Sequence, residues 1–152
     1  MHEVTVERSV PLSADVAYRL VSDVTNMGKW SPETTSCRWI GGATRAASGA
    51  RFRGSNRRGR FRWTTTCTVV DSEPGHRFSF DVRYGILPMA RWTYEFDSSS
   101  EQCTVRETWV EHRPRWLITL DAVIFGIADR AEHNRQTMKH TLDRLAEARV
   151  TT

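Results

Sequence analysis

Residues 2–10 alternate apolar and polar side chains, with Val4, Val6 and Val10 in one file, and predict a strand. Pro11 ends it, Ser13 is a good helix N-cap, and Val16, Ala17, Leu20 and Val21 recur at helical spacing. Residues 23–29 predict a second short helix, which Pro32 stops. Six further strands follow, over residues 34–40, 51–56, 60–71, 77–84, 90–97 and 102–112. Gly41-Gly42, Arg57-Arg58-Gly59, Glu73-Pro74-Gly75, the stretch 85–88 and Ser98-Ser99-Ser100 separate them. Short strands joined by tight turns predict an antiparallel meander. After Pro114 the period becomes helical: Leu117, Leu120, Ile124, Ile127, Ala131, Met138, Leu142 and Leu145 follow i, i+3, i+4 steps. A helix over residues 115–148 would be roughly 50 Å long, with Gly126 the place to bend or break.

Strand alternation assigns sides. One face carries Phe61, Trp63, Thr65, Cys67 and Val69, then Phe78, Phe80, Val82 and Tyr84, then Ala90, Trp92, Tyr94 and Phe96. The other face is arginine, serine, threonine and acid. A sheet with one apolar face needs a cover, and only the C-terminal helix is long enough. The expected fold class is therefore α+β: a curved seven-stranded antiparallel sheet wrapped around a long C-terminal helix, with two short helices after the first strand. No linker or repeat divides the chain, so residues 1–152 are expected to form one domain. So many large rings with so few alanines between them pack poorly into a solid core. The alternative to an ordinary core is a cavity lined by Trp63, Phe80, Trp92, Tyr94 and Trp109 on the sheet and Ile124, Ala131 and Met138 on the helix.

Composition narrows the chemistry. Six tryptophans in 152 residues fit a large core or a lined cavity. Cys37, Cys67 and Cys103 form no metal or redox spacing and are expected as reduced thiols in a cytoplasm. The charged, alternating start is unlike a signal peptide, and the apolar run 116–128 is too short and too interrupted to span a bilayer. The net charge of +4 is almost all arginine. Arg51, Arg53, Arg57, Arg58, Arg60 and Arg62 are expected on the outer face of one hairpin, balanced by Asp81, Glu95 and Asp97, so no nucleic-acid partner is expected. The histidines read as solvent-facing, and no metal ligand set, phosphate loop or nucleophile elbow implies a metal or cofactor.

Glu107 stands out because Cys103, Val105, Glu107 and Trp109 share one file. That places a carboxyl in the apolar interior, where burial raises its pKa unless a cation or hydrogen-bond donor meets it. Such an acid can orient a ligand or move a proton; the opposing reading is a rim ion pair. Asn56 lies in file with Phe52 and Gly54 and could meet a ligand carbonyl or Glu107. Tyr84, Tyr94 and Asn134 complete the polar candidates.

The order strand, two helices, six strands, helix resembles the START/polyketide-cyclase (SRPBCC) superfamily and its helix-grip fold. Residues 23–32 (DVTNMGKWSP), 49–56 (GARFRGSN), 63–69 (WTTTCTV) and 105–109 (VRETW) resemble its bacterial polyketide cyclase/dehydrase-like branch. The resemblance implies the fold and a small hydrophobic ligand, not one activity, because the superfamily includes carriers, sensors and cyclases. The first reading is a carrier or sensor of a lipid-like or polycyclic metabolite. The alternative is an aromatase/cyclase or dehydratase using the same cavity, against which the lack of arginine in the inward files of the central strands counts. An RNA adaptor built on the basic hairpin is a third, weaker reading. The apolar segment 116–127 with Ile86, Leu87 and Met89 suggests a lid, a membrane patch or a homodimer contact.

Overall fold

The computed structural model describes residues 3–99, 102–125 and 130–148. Seven strands, β1 (Glu3–Val10), β2 (Thr34–Ile40), β3 (Arg51–Arg58), β4 (Phe61–Glu73), β5 (Arg77–Tyr84), β6 (Leu87–Ser99) and β7 (Gln102–Glu111), form one antiparallel sheet. Its order is β1-β7-β6-β5-β4-β3-β2, so the first two strands of the chain lie at opposite edges. Helix α1 (Ala14–Ser22), a 3-10 turn (Val24–Asn26) and α2 (Met27–Trp30) carry the chain across between those edges. Ser13 caps α1 by accepting from the Val16 amide, as its side chain and position suggest. A Cβ at Gly28 would meet the Thr35 carbonyl at 2.6 Å, so glycine lets α2 lie directly against β2.

The sheet and its inward files follow the alternation, and the α+β helix-grip class is the observed one. Several strands run longer than the pattern implied: β3 reaches Arg58, β4 Glu73 and β6 starts at Leu87. Tight turns explain this, because Gly59 and Gly85 hold positive φ and let the ladders continue to the turn itself. The C-terminal helix is observed as two spans, α3 (Arg115–Phe125) and α4 (Arg130–Ala146). Gly126, Ile127 and the Ser100 turn lie outside the described residues, as does the side chain of Ile124.

Where α4 sits determines what remains open. Its buried face, Asn134, Met138, Thr141, Leu142 and Leu145, packs mainly along β1, with further contact to β7 and α2. Arg8 pairs with Asp143, and Arg144 donates to the Lys29 carbonyl, which straps the helix to that edge. At one end the core is solid. Phe52, Phe78 and Phe80 pack ring against ring at centroid distances of 5.2 and 5.5 Å, and Tyr18 of α1 stands edge-on to Phe96 at 5.9 Å. Above them, toward the β3–β4 and β5–β6 turns, the aromatic face of the central strands has no helix packed closely against it among the described residues, and α3 and α4 stand off across an open space.

Candidate functional site

That uncovered space is a cavity of about 440 Å³, within the usual size range of small-molecule sites. Its sheet wall is made by the inward files: Phe52, Gly54 and Asn56 of β3, Trp63, Thr65 and Cys67 of β4, Phe80 and Val82 of β5, Ala90, Trp92 and Tyr94 of β6, Glu107 and Trp109 of β7. Asn134, Thr137, Met138 and Thr141 of α4 face them, and Leu117 and Leu120 of α3 stand at the mouth. Gly54 contributes by what it lacks: a methyl there would press on the Thr65 hydroxyl at 3.2 Å and occupy space beside Asn56.

Glu107 is the polar feature of the wall. On either side of it in the sheet stand Val6 and Tyr94, so one neighbour is apolar and the other carries a donor. The Tyr94 hydroxyl donates to Glu107 Oε2 at 2.7 Å. Glu107 Oε1 is buried and has no hydrogen-bond partner among the described residues, and the residue is only 2 % exposed. Burial pushes its pKa up to about 8 and the Tyr94 bond only partly opposes this, so the carboxyl is largely neutral at pH 7. Burial first, and then the adjoining Glu107, hold the Tyr94 phenol well above its ordinary value. The expected inward Glu107 is therefore the observed one, partnered by a tyrosine.

The other candidates divide. Trp63, Phe80, Trp92, Tyr94, Trp109, Asn134 and Met138 all line the cavity. Asn56 lines it too but turns away from Glu107: its amide donates to Thr65 Oγ1 and accepts from Thr34, each at 3.2 Å. Tyr84 is at the rim and 47 % exposed, because it is the last residue of β5 before the turn. Ala131 packs against the core and is not part of the wall.

Three expectations about charge need correction. Arg58 continues the inward file of β3 and lines the mouth, and Arg113 lines the cavity while itself buried. The inward files of β4, β5 and β6 hold no arginine, as expected, but arginine reaches the cavity from β3 and from the segment after β7. Arg113 follows Glu111 on the extension of the β7 file and grips it through two charged bonds, both 2.7 Å. Continuing the alternation two steps past Trp109 would have found this pair. Of the acids expected to balance the outer arginines, Asp81 instead holds Arg91 through two bonds at 2.7 and 3.0 Å. Nor are all the histidines free in solvent. His133 is half-buried and meets Glu33 Oε1 at 2.6 Å beside the cavity, and His112 is also half-buried.

The three cysteines are free, and burial pushes the Cys37 thiol up to about 12 and Cys67 higher still. Both therefore stay protonated and serve as small apolar side chains of the wall rather than nucleophiles. Among the described residues no cluster of three metal-ligating groups occurs, and no helix is long and apolar enough to cross a membrane.

The fold is shared with solved structures of low identity. A Chromobacterium violaceum protein superposes with a TM-score of 0.72 at 16 % identity, covering 95 % of this chain and 94 % of that one. A Thermus thermophilus protein gives 0.64 at 20 % identity over 98 % and 100 %. The di-domain ARO/CYC BexL from the BE-7585A biosynthetic pathway gives 0.64 at 20 % identity, over 94 % of this chain and 47 % of that one. No curated protein matches the sequence. The sequence model of one family matches residues 1–148, and the chain accordingly belongs to the polyketide cyclase/dehydrase and lipid transport family.

Proposed function

We propose that the chain binds a small hydrophobic molecule, lipid-like or polycyclic, between the aromatic face of its central strands and α4, and acts as its carrier or sensor. The observation that carries this reading is the 440 Å³ cavity whose wall is mostly aromatic and aliphatic and whose polar groups are few and fixed. Tyr84, Phe61 and Leu120 are exposed around the same opening, which gives an apolar molecule a route in. Ile86, 90 % exposed, and Trp116, 61 % exposed, extend that apolar rim and are the surface on which a homodimer would form. Native mass spectrometry of protein purified from its own host tests the reading. A retained small molecule that is lost on Trp92→Ala supports it, and a protein that retains nothing and shows no tryptophan emission change with polycyclic probes defeats it. Light scattering at several concentrations decides the dimer.

The second reading is an aromatase/cyclase or dehydratase that uses the cavity to fold a reactive chain. What favours it is the buried Tyr94–Glu107 pair, a proton-holding group set in the wall, with Arg113 lining the same space. Glu107→Met separates the two. A carrier loses part of its affinity and nothing else; an enzyme keeps binding its substrate and loses roughly a hundredfold or more in turnover.

A further inference from the structure

The Tyr94 hydroxyl donates to Oε2, so in a neutral Glu107 that oxygen is the carbonyl and the acid proton sits on Oε1, the oxygen without a partner. The surroundings keep the group neutral. The side chains on either side in the sheet are Val6 and Tyr94, and neither is a cation. Just past the end of its own strand, Arg113 is held by Glu111. From α4 the cavity receives Asn134, Thr137, Met138 and Thr141, and from β3 and β4 Asn56, Thr65 and Cys67, all uncharged; the charged groups that those two strands bring to it, half-buried Arg58 and exposed Arg62, stand at the mouth, and Glu33 before β2 is met by His133. No ion pair to Glu107 is present among the described residues, and burial raises its pKa. A buried donor without an acceptor is costly and is satisfied by what enters the cavity.

We propose that Glu107 acts as a neutral hydrogen-bond donor and that the cavity selects hydrophobic molecules carrying a carbonyl oxygen, which takes the Oε1 proton in a hydrogen bond. This rests on the binding reading above and narrows it to a class: ketones, quinones and esters on an apolar frame, in preference to amines and plain hydrocarbons. An amine would draw the proton off and create a charge pair in an apolar wall, and a hydrocarbon would leave the donor unmet. Selection by a buried donor can be strong, because the analogue without the acceptor leaves that donor unpaired. The recognition is geometric as well, since Tyr94 fixes the carboxyl plane and Trp92 and Trp109 are a matched pair across β6 and β7, one register step away on the same face.

The probes are 9-fluorenone and fluorene, rigid tricycles that differ in one carbonyl, followed by tryptophan emission and calorimetry at pH 6 and pH 9. The expected result is roughly tenfold tighter binding of fluorenone at pH 6, with the preference fading at pH 9 as Glu107 ionises. Glu107→Gln keeps an N–H donor and should retain the preference at both pH values, whereas Glu107→Met should abolish it. Infrared difference spectra of the unliganded protein at pH 6, wild type against Glu107→Gln, should show a protonated carboxyl band that is absent from the variant. Equal binding of the two probes at pH 6, as an ordered water on Oε1 would produce, overturns the carbonyl preference and leaves the binding reading intact. Absence of the carboxyl band overturns the neutral donor. Binding of neither probe removes the binding reading and this inference with it.

Discussion

Glu107 carries the clearest residue-scale consequence, because a neutral buried acid makes stability depend on pH. Its folded pKa is raised to about 8, against 4.5 for a free side chain. Below about pH 4.5 both folded and unfolded states hold the proton, and the residue costs nothing. As pH rises toward 8 the unfolded chain ionises freely while the folded chain cannot, so the folded state loses stability until the folded group also ionises and the loss levels off. Glu107→Gln removes that dependence and leaves the other carboxyls unchanged. Urea unfolding at pH 5 and pH 8 should show the variant gaining on wild type by on the order of a few kcal/mol, at about 1.4 kcal/mol per pH unit. A gap that does not change with pH would mean that Glu107 is ionised in the folded protein. This residue was legible in the sequence because β7 has no bulge: every step from Cys103 to Val110 keeps its register with both neighbours. Tyr84 and Arg58 were misplaced at the turns, where alternation still holds but there is no longer a neighbouring element to bury the side chain.

At the scale of elements, the Glu111–Arg113 pair joins the end of β7 to the turn before α3. Both side chains are nearly fully buried, 4 % and 3 % exposed, and Arg113 also donates its backbone amide to Glu111 at 3.1 Å. Removing one partner leaves a buried charge uncompensated, so Arg113→Met should cost about 3–5 kcal/mol in urea or thermal unfolding, whereas Glu111→Leu with Arg113→Met together should cost much less. A single variant as stable as wild type would show the pair to be solvated. Sequence patterning finds elements well and their partners poorly. The seven strands were legible because period-two alternation survives in each one. The apolar stripe of the C-terminal segment continues through residues 115–145, and both described spans of that segment, α3 and α4, are helical as the stripe implies. Glu33 and His133 meet although they are a hundred residues apart in the chain, and nothing local to either marks the contact.

The whole molecule has two unlike ends, and this follows from where α4 lies. Because α4 packs along β1 and β7, the end with α1 is filled by Tyr18, Phe78, Phe96 and Leu145, and the end with the β3–β4 and β5–β6 turns is left open. Helix α3 stands at the open end. Among its described side chains none joins the buried core, Trp116 and Leu120 are exposed, and Leu117 is half-buried at the cavity. An element with so little buried area opens at low free energy, while β1, β6 and β7 open only when the whole sheet does. Ligand binding should therefore be felt unevenly. In hydrogen exchange followed by mass spectrometry, peptides spanning 84–89 and 115–120 should exchange fast in the unliganded protein and slow markedly with saturating fluorenone. Peptides from β1 and from the α1 end should change only as far as global stability rises with ligand concentration. Two substitutions sharpen the comparison. Leu120→Asp places a charge at the mouth and should speed ligand exchange without changing protection in β1, whereas Tyr18→Phe at the closed end removes the bond to Ser72 and should lower protection throughout while leaving the mouth's response to ligand in place. If ligand protects both ends equally, or if α3 is already as protected as β7 without ligand, then the opening does not lie where the exposed rim puts it, and a molecule must reach Glu107 by some route other than between α3 and the two turns.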